Sequence, residues 1–426
     1  MSISCCDSIS KKYKKNPNQI NPENENDKII NNYGNELENY NKNNDIDDIG
    51  QNKYQHNNEN HKYICNQVKD INGIIGLVNL GLSCYFNSAI QTLKNVFPLT
   101  LYLLKNYRKF NKSEFRFTYN YCKLIGNLIN QKTVGYFTPI DFFNCLQELT
   151  PNIQIGEQND SSICVMYILK HLEREIKKPG EPNPDIIESL NEEDKEKFKC
   201  YINKLYYNKN SYILDYFYGF QQDIYECRNK NCKYKNNNSF QGFTVLNLPI
   251  VTCENNHIIN LESLETAIKH YQLGRLHKEE EGFDCSRCKK RDIMTKSIII
   301  SYPKILIINF KRIGEQFFYN HKVEVPSELT IDKYKYELIG FIKHIGGAKS
   351  GHNIAICKNF FDYKWYEYDD HEVKEIKHIN YKDKNDKPDT KNGFLFFYKN
   401  SGIFANIETK DEKNFIIQAS LDLRSN

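Results

Sequence analysis

The order of apolar and polar residues divides the chain into a polar leader, a helical front half and a strand-rich back half. Residues 1–70 contain 17 asparagines, a single leucine (Leu37) and neither Phe nor Trp. Such a segment cannot bury enough apolar surface to offset the entropy lost on ordering it. The pattern therefore predicts a disordered Asn-rich leader over residues 1–70 and a globular region that begins near Ile71.

Helical spacing appears directly after Gly81. Ser83 is a candidate N-cap, and Pro98 ends the helical pattern. Between them, apolar residues recur at helical intervals at Tyr85, Ala89, Leu93 and Val96. Further helical patterns cover residues 110–130 and 164–176, whereas the charged stretch Glu181–Lys199, which contains prolines at its start, is predicted to be an exposed insertion between lobes.

Strand patterns dominate after about residue 212. Ser239–Ile250 alternates apolar and polar residues, and Ile305–Phe310 is an almost continuous apolar run typical of a strand buried on both faces. Further strands are predicted over Tyr336–Ile345, Asn353–Lys358, Trp365–Tyr368 and Gly393–Tyr398. Helices followed by strands indicate an α+β fold class.

Composition and charge exclude several classes of function. With 58 basic and 54 acidic residues, the net charge is only +4, so no nucleic-acid partner is expected. The sequence has no run of 18 apolar residues and no apolar secretory signal, which predicts neither a membrane partner nor secretion. Fourteen cysteines are spread along the chain and not concentrated in a short module. This distribution fits reduced thiols and predicts an intracellular location, in the cytoplasm or nucleus.

The candidate nucleophile is Cys84, which lies at the predicted start of a helix. Unpaired backbone N–H groups and the helix dipole favour a thiolate there, so the pKa of Cys84 is expected to fall. Asn79 carries an amide that is suited to donate a hydrogen bond to a developing oxyanion. On this evidence alone, an ordinary buried thiol on a helix remains an alternative.

The segment around Cys84 narrows these alternatives. Gly76–Gln91 reads Gly-Leu-Val-Asn-Leu-Gly-Leu-Ser-Cys-Tyr-Phe-Asn-Ser, followed by three residues that end in Gln. It resembles the cysteine box of ubiquitin-specific proteases, except that Leu82 stands where the family has a smaller or polar residue. The resemblance implies that Cys84 is the nucleophile and supports Asn79 as the oxyanion donor.

A thiol protease also needs an imidazole that a third group holds in one tautomer. His352 follows a glycine-rich segment that begins at His344, and Asp369 and Asp370 end the next predicted strand. On its own, this pattern is also compatible with a surface or structural histidine. These segments resemble the histidine box of the same family. The resemblance implies that His352 is the general base and Asp369 the orienting acid, with Asp370 as second candidate and His344 near the substrate tail.

Two cysteine pairs predict a structural zinc site. Four residues separate Cys227 from Cys232, and two separate Cys285 from Cys288. Thiolates on two tight turns of neighbouring strands can complete a tetrahedral shell around Zn²⁺, with no position left open for water. Free surface thiols are the alternative. A redox role for the Cys285–Cys288 pair is less favoured, because no thioredoxin-like βαβ pattern surrounds it.

The candidate substrate-tail residues are Gln158 and Asp160. They match part of the family motif Gln-Gln-Asp-x-x-Glu-Phe, but Ile163 and Cys164 replace its acidic and aromatic residues. A missing carboxylate would weaken contact with the arginines of the ubiquitin tail. The same segment is also compatible with a plain capped helix start.

The resemblance covers roughly Ile71–Tyr398 and implies a papain-like fold. The expected catalytic domain, residues 71–400, has a helical thumb (about 74–180), zinc-pinned β fingers (about 211–300) and a β-rich palm (mainly 301–400). A C-terminal extension would follow at 401–426.

The implied activity is thiol-dependent hydrolysis of the isopeptide or peptide bond after the C-terminal glycine of ubiquitin, with no catalytic cofactor. Ubiquitin and ubiquitinated proteins are the implied partners, and an activating protein partner is left open. One alternative is a protease for another ubiquitin-like modifier, suggested by Ile163. The other is a catalytically silent scaffold that binds ubiquitin.

Overall fold

A computed structural model of the protein describes residues 73–129, 135–207, 209–254, 257–276, 284–312, 319–347, 350–376 and 392–425. All of them fall within the unit Ile71–Asn426. The predicted leader, residues 1–70, lies outside the described residues.

Helices form the front half and the C-terminal end. They are α1 (Cys84–Lys94), α2 (Phe97–Asn106), α3 (Arg116–Ile129), α4 (Ile140–Leu149), α5 (Ser161–Glu175), α6 (Glu192–Tyr206), α7 (Tyr212–Phe217), α8 (Leu264–Leu273), α9 (Ser401–Phe404) and α10 (Lys410–Ser425). Every residue of α1 is buried, because the helix packs against both α5 and a central sheet. Helices α1 to α5 form the thumb.

The strands are β1 (Gly76–Leu77), β2 (Tyr136–Phe137), β3 (Gly219–Cys227), β4 (Lys235–Phe243), β5 (Leu246–Leu248), β6 (Val251–Glu254), β7 (His257–Asn260), β8 (Arg275–Leu276), β9 (Ile293–Ser301), β10 (Ile305–Phe310), β11 (Glu328–Ile331), β12 (Tyr334–Gly346), β13 (Gly351–Lys358), β14 (Trp365–Asp369), β15 (Glu372–Glu375) and β16 (Gly393–Asn400). The palm sheet has the order β15-β14-β13-β12-β16-β10-β5, with β11 beside β12. A second sheet, β4-β3-β9-β8, forms the fingers.

The central strands of the palm sheet are buried on both faces, as the apolar run in β10 predicts. Ile305 and Ile307 point into the apolar core beneath the thumb helices. Leu306 and Ile308 point to a second core on the opposite face, which the fingers and α8 help to cover. Because side chains alternate along a strand, one continuous apolar run supplies both cores.

The predicted exposed insertion at Glu181–Lys199 is wrong for its second part. Residues 181–191 are mostly exposed, but the following residues enter α6, where Phe198 and Ile202 lie buried against the finger sheet. The Asn191 side chain accepts a hydrogen bond from the backbone N–H of Asp194 and so caps this helix. Charged residues occupy the first turns of α6, and its core-facing apolar residues begin only at Phe198, followed by Tyr201, Ile202 and Tyr206.

The C-terminal segment is part of the fold, because α10 packs across α2 and α3. Ile416 is fully buried at this contact. Ion pairs join α10 to α2 through Lys105 and Glu412 (2.7 Å) and to the following 3-10 turn through Arg108 and Asp422 (2.8 Å). These pairs are exposed, so the apolar contact contributes most of the stabilisation.

Replacing Ile416 with Ala should lower the free energy of unfolding by about 2–5 kcal/mol, since it removes buried methyl groups and leaves a cavity. Thermal or urea unfolding would measure this loss. Ile403→Ala is the matched control, because Ile403 is 46% exposed and its truncation should cost far less. Equal stability of the two variants would contradict the structural role assigned to α10.

Candidate active site

The loop before Cys84 is organised by the side chain of Asn79. Asn79 Oδ1 accepts hydrogen bonds from the backbone N–H groups of Gly81 (3.0 Å) and Ser83 (3.0 Å). Ser83 stands at the N-cap position of α1, but its hydroxyl accepts from the Leu80 N–H (2.8 Å) and does not cap the helix. Leu82 completes the turn at a φ of 53° and is 48% exposed.

The prediction of a lowered Cys84 pKa is wrong for this structure. Burial raises the pKa of the Cys84 thiol, and the nearby Asp370 carboxylate raises it further. The backbone N–H groups of Asn353, Tyr85 and Cys84 itself favour the thiolate but do not offset the burial. The resting thiol is therefore protonated at neutral pH and needs a base to become a nucleophile.

His352 and the two predicted acids meet at one end of the palm sheet. His352 lies near the start of β13, and Asp369 ends the neighbouring antiparallel strand β14. His352 Nε2 is 2.5 Å from Asp369 Oδ1 and 4.0 Å from Asp370 Oδ2. The hairpin thus brings Asp369 into direct contact with the imidazole, as the sequence predicts.

Asp370 joins this hairpin to the cysteine loop. Its Oδ2 accepts a hydrogen bond from Asn79 Nδ2 (2.8 Å), and its Oδ1 accepts one from Asn87 Nδ2 (2.8 Å). Its backbone carbonyl accepts from the Leu77 N–H (2.7 Å). Asn79 therefore directs its amide at a carboxylate here, and Asp370 connects the two halves of the site.

Asn87 is a site residue that the sequence reasoning missed. It is buried one turn after Cys84, and its Nδ2 also contacts the carbonyls of Leu77 (3.3 Å) and Val78 (3.2 Å). The available signal was its place three residues after Cys84 within the cysteine box. Its partner Asp370 is distant in sequence, so the contact itself was not visible there.

Two glycines allow close approach at the site. A Cβ on Gly76 would lie 2.2 Å from the carbonyl oxygen of His371, beside Asp370. A Cβ on Gly351 would lie 2.1 Å from Nε2 of His344. On its other side, the His344 ring contacts Asn353 Oδ1 through Nδ1 (2.9 Å). The structure thus places His344 on the β12–β13 hairpin that carries His352.

The predicted substrate-tail residues lie at the start of α5. Asp160 caps that helix, with Oδ1 accepting from the Ser162 N–H (2.6 Å), and Gln158 is exposed. The hydroxyls of Ser88 on α1 and Ser161 on α5 are 3.1 Å apart, so α5 begins beside the helix of Cys84. Ile163, which replaces the family's acidic residue, is 37% exposed.

The four predicted zinc ligands converge at the tip of the finger sheet. Their sulfur atoms all lie within 4.8 Å of one another, with 3.7 Å between Cys227 and Cys288 and 3.8 Å between Cys232 and Cys285. A tetrahedron with Zn–S bonds of about 2.3 Å has edges of about 3.8 Å, so the arrangement fits the ion. Lys233 and Lys289 directly follow the two pairs and adopt positive φ values of 48° and 58°, which turn the backbone around the cluster.

A family model for ubiquitin carboxyl-terminal hydrolase matches residues 75–398. The chain belongs to this family. The predicted resemblance to ubiquitin-specific proteases is thereby confirmed.

Curated relatives agree with this assignment. Ubiquitin carboxyl-terminal hydrolase 2 of Rattus norvegicus is 23% identical over 356 residues, which cover 78% of this chain and 54% of the relative. Ubiquitin carboxyl-terminal hydrolase Usp2 of Drosophila melanogaster is 26% identical over 323 residues, 71% of this chain and 33% of the relative. The chain therefore spans about half the length of the rat relative and about a third of the Drosophila relative.

A solved structure supports the predicted fold class. A chain of the SAGA Ubp8/Sgf11/Sus1/Sgf73 DUB module bound to ubiquitin aldehyde matches with a TM-score of 0.57 at 17% identity. The match covers 83% of this family member and 76% of that chain. The α+β fold with thumb, palm and fingers is thereby confirmed. Among the described residues, no helix is both long and apolar enough to cross a membrane.

Replacing Gly76 with Ala should separate the cysteine loop from the β14–β15 turn, which carries Asp370, because the new methyl group would overlap the His371 carbonyl. A misplacement of about 1 Å can cost on the order of a hundredfold in rate, so Cys84 alkylation by iodoacetamide should slow at least about tenfold. Gly402→Ala is the control, since its Cβ would meet no atom closer than 3.5 Å. Unchanged Cys84 alkylation in Gly76→Ala would show that this close approach does not organise the site.

Proposed function

We propose that this family member is a thiol-dependent deubiquitinase, which hydrolyses the isopeptide or peptide bond after the C-terminal glycine of ubiquitin. The observation that carries the proposal is the junction between two distant segments. The loop and helix of Cys84 are hydrogen-bonded through Asp370 to the hairpin on which His352 contacts Asp369. This arrangement supplies a nucleophile, a base and an orienting acid within one family fold.

In the proposed mechanism, His352 acts first as a base. Asp369 engages Nε2, which leaves Nδ1 as the nitrogen that takes the Cys84 proton. The thiolate attacks the glycine carbonyl, and the tetrahedral intermediate collapses to a thioester as the imidazolium protonates the leaving amine. His352 then removes a proton from water, and the resulting hydroxide attacks the thioester carbonyl. The C–S bond breaks, ubiquitin leaves with a free C-terminal carboxyl group, and the imidazolium returns its proton to the Cys84 thiolate.

The Asn79 amide has two N–H groups, which suits two tasks. One hydrogen bond to Asp370 fixes the side chain. The second N–H is assigned to the oxyanion, together with backbone N–H groups at the start of α1. Fixing the amide before reaction reduces the reorganisation needed in the transition state.

Structural zinc is the second part of the proposal. Cys227, Cys232, Cys285 and Cys288 would hold the ion and join the loop after β3 to the turn before β9. Their local core contains little besides the cysteines themselves and Ile293. The ion would thus stabilise the finger tip and take no part in the chemistry.

Ubiquitin and ubiquitinated proteins are the proposed partners, with Gln158, Asp160 and His344 beside the ubiquitin tail. The similar DUB module contains ubiquitin aldehyde and further subunits, which favours testing an activating partner here too. The exposed Ile163 favours another ubiquitin-like modifier as the second candidate substrate. Ten cysteines among the described residues form no disulfide bond, which supports the proposed intracellular location.

Cys84→Ala should reduce hydrolysis of a ubiquitin C-terminal fluorogenic amide at least about a thousandfold, because the nucleophile is lost. Steady-state kinetics and ubiquitin binding would be measured together, and binding should persist. Cys200→Ala is the matched control, since Cys200 is an exposed thiol on α6. Wild-type rates in Cys84→Ala would refute the assignment.

The same assay distinguishes the alternatives when it includes several modifier substrates. Turnover of another modifier but not of ubiquitin would select the second candidate. Binding of ubiquitin without turnover of any substrate by folded wild type would favour the silent scaffold.

The purified protein should contain one zinc ion per chain. Cys285→Ser should lose the ion and lower the unfolding temperature, since the buried thiolates lose their common partner. Elemental analysis and thermal unfolding would measure both effects, with Cys200→Ser as control. Wild type that binds no zinc when supplied with it would overturn this part of the proposal.

A further inference from the structure

Catalysis requires α1 to keep a fixed position against β13 and β14. Near Cys84, the hydrogen bonds of Asp370 provide this position. Helix α1 has 11 residues, so its far end at Lys94 lies about 15 Å away. Apolar packing on α5 and the palm sheet buries the whole helix, and directional polar contacts at its far end would further restrict its rotation on the sheet.

Lys94 makes contacts of the kind required. Its side chain is fully buried, and Nζ donates to the Gly73 carbonyl (2.6 Å) and to Gln91 Oε1 (2.8 Å). The amine also lies 4.6 Å from the ring centroid of Tyr368. Tyr368 directly precedes Asp369 on β14, and its hydroxyl donates to the same Gly73 carbonyl (3.2 Å).

These contacts join three segments of the site. Gly73 leads into β1 and the cysteine loop, Gln91 lies on α1, and Tyr368 lies on the strand of the orienting acid. Gln91 adds a bond from Nε2 to the Ile75 carbonyl (2.6 Å). One amine therefore couples the nucleophile segments to the acid strand from behind the site.

Burying the Lys94 amine costs desolvation free energy. Burial lowers the pKa of Lys94 to about 7, and the titratable groups that face it are Cys357 on β13 and Tyr368 on β14. Burial raises the pKa of both partners, so neither supplies a negative charge at neutral pH. An apolar side chain of similar length would avoid the desolvation cost, so the polar contacts of Lys94 indicate a role beyond filling the core.

We propose that Lys94 is a positioning residue for the reaction, which holds the far end of α1 against Gly73 and Tyr368 and so sets the distance from Cys84 to the His352–Asp369 pair. This inference rests on the proposed deubiquitinase function for its kinetic readout. It concerns the chemical step and not ubiquitin binding, because Lys94 is inaccessible to a protein substrate.

The test uses the full-length protein with Lys94→Met, which keeps the side-chain length and removes the donors. The expected result is a kcat at least about tenfold lower with KM within about twofold, and a similarly slower alkylation of Cys84 mapped by mass spectrometry. Ile416→Ala is the control for lost stability, and Lys105→Met controls for loss of an exposed lysine. Both controls should keep kcat near wild type at temperatures where they are folded.

A folded Lys94→Met enzyme with wild-type kcat and wild-type Cys84 alkylation would overturn the proposal. A reduction in kcat no larger than that of Ile416→Ala, with both variants at matched stability, would also overturn it. Tyr368→Phe supplies a second test. It should reduce kcat, and its effect should be non-additive with Lys94→Met because both donors share the Gly73 carbonyl. If wild type hydrolyses no modifier amide, the proposed function fails, while the alkylation rates still decide the role of Lys94.

Discussion

The site depends on the hydrogen bonds of Asp370. Cys84 and His352 are 268 residues apart, so no local structure can bring them together. Asp370 accepts side-chain bonds from Asn79 and Asn87 and a backbone bond from Leu77. Its φ of 49° belongs to the two-residue turn between β14 and β15, where a positive φ is usual and Asp tolerates it. This turn presents Asp370 to the cysteine loop, and the three hydrogen bonds join the two segments that the proposed mechanism needs in contact.

The palm sheet makes this junction rigid. Its central strands are buried on both faces, so a shift of one residue would exchange the thumb-facing and finger-facing side chains. The register of β13 against β14 is therefore strongly specified, and with it the contact of His352 with Asp369. Helix α1 lies buried on the same sheet, which fixes the nucleophile relative to that register. Packing far from the site thus determines distances within it.

Much of this was visible in the sequence because local patterns carry it. The apolar run Ile305–Phe310 predicts a strand with the same bounds as β10. The glycine-bounded cysteine box and the paired cysteines likewise mark the start of α1 and the finger tip. These features depend on nearby residues, and short-range spacing is enough to find them.

The failures at α6 and Cys84 arose where long-range contacts decide the outcome, whereas the failure at Ser83 is a matter of local loop geometry. Helix α6 was missed because its first turns carry mainly charged residues, and only contact with the finger sheet makes Phe198 and Ile202 part of a core. Ser83 has the residue type of a cap, yet its hydroxyl bonds the Leu80 N–H because Asn79 folds the loop back. The Cys84 pKa depends on burial and on Asp370, which lies in the back half of the chain. Neither the finger sheet nor Asp370 lies at a fixed sequence separation that a pattern could detect.

The surroundings of each cysteine give residues of this one type different chemical properties. Cys357 lies in the core, where burial raises its pKa to about 12 and makes it an inert apolar group. The four finger cysteines stand beside turns that direct their sulfur atoms at one point. Cys84 is also buried, but three backbone N–H groups point at its sulfur and favour the thiolate once its proton has left. The structure thus keeps the resting thiol neutral while preparing the site for its charged form. In the proposed mechanism, a protonated resting thiol makes reactivity depend on His352, so the spacing between α1 and the β13–β14 hairpin becomes the quantity that the fold has to control.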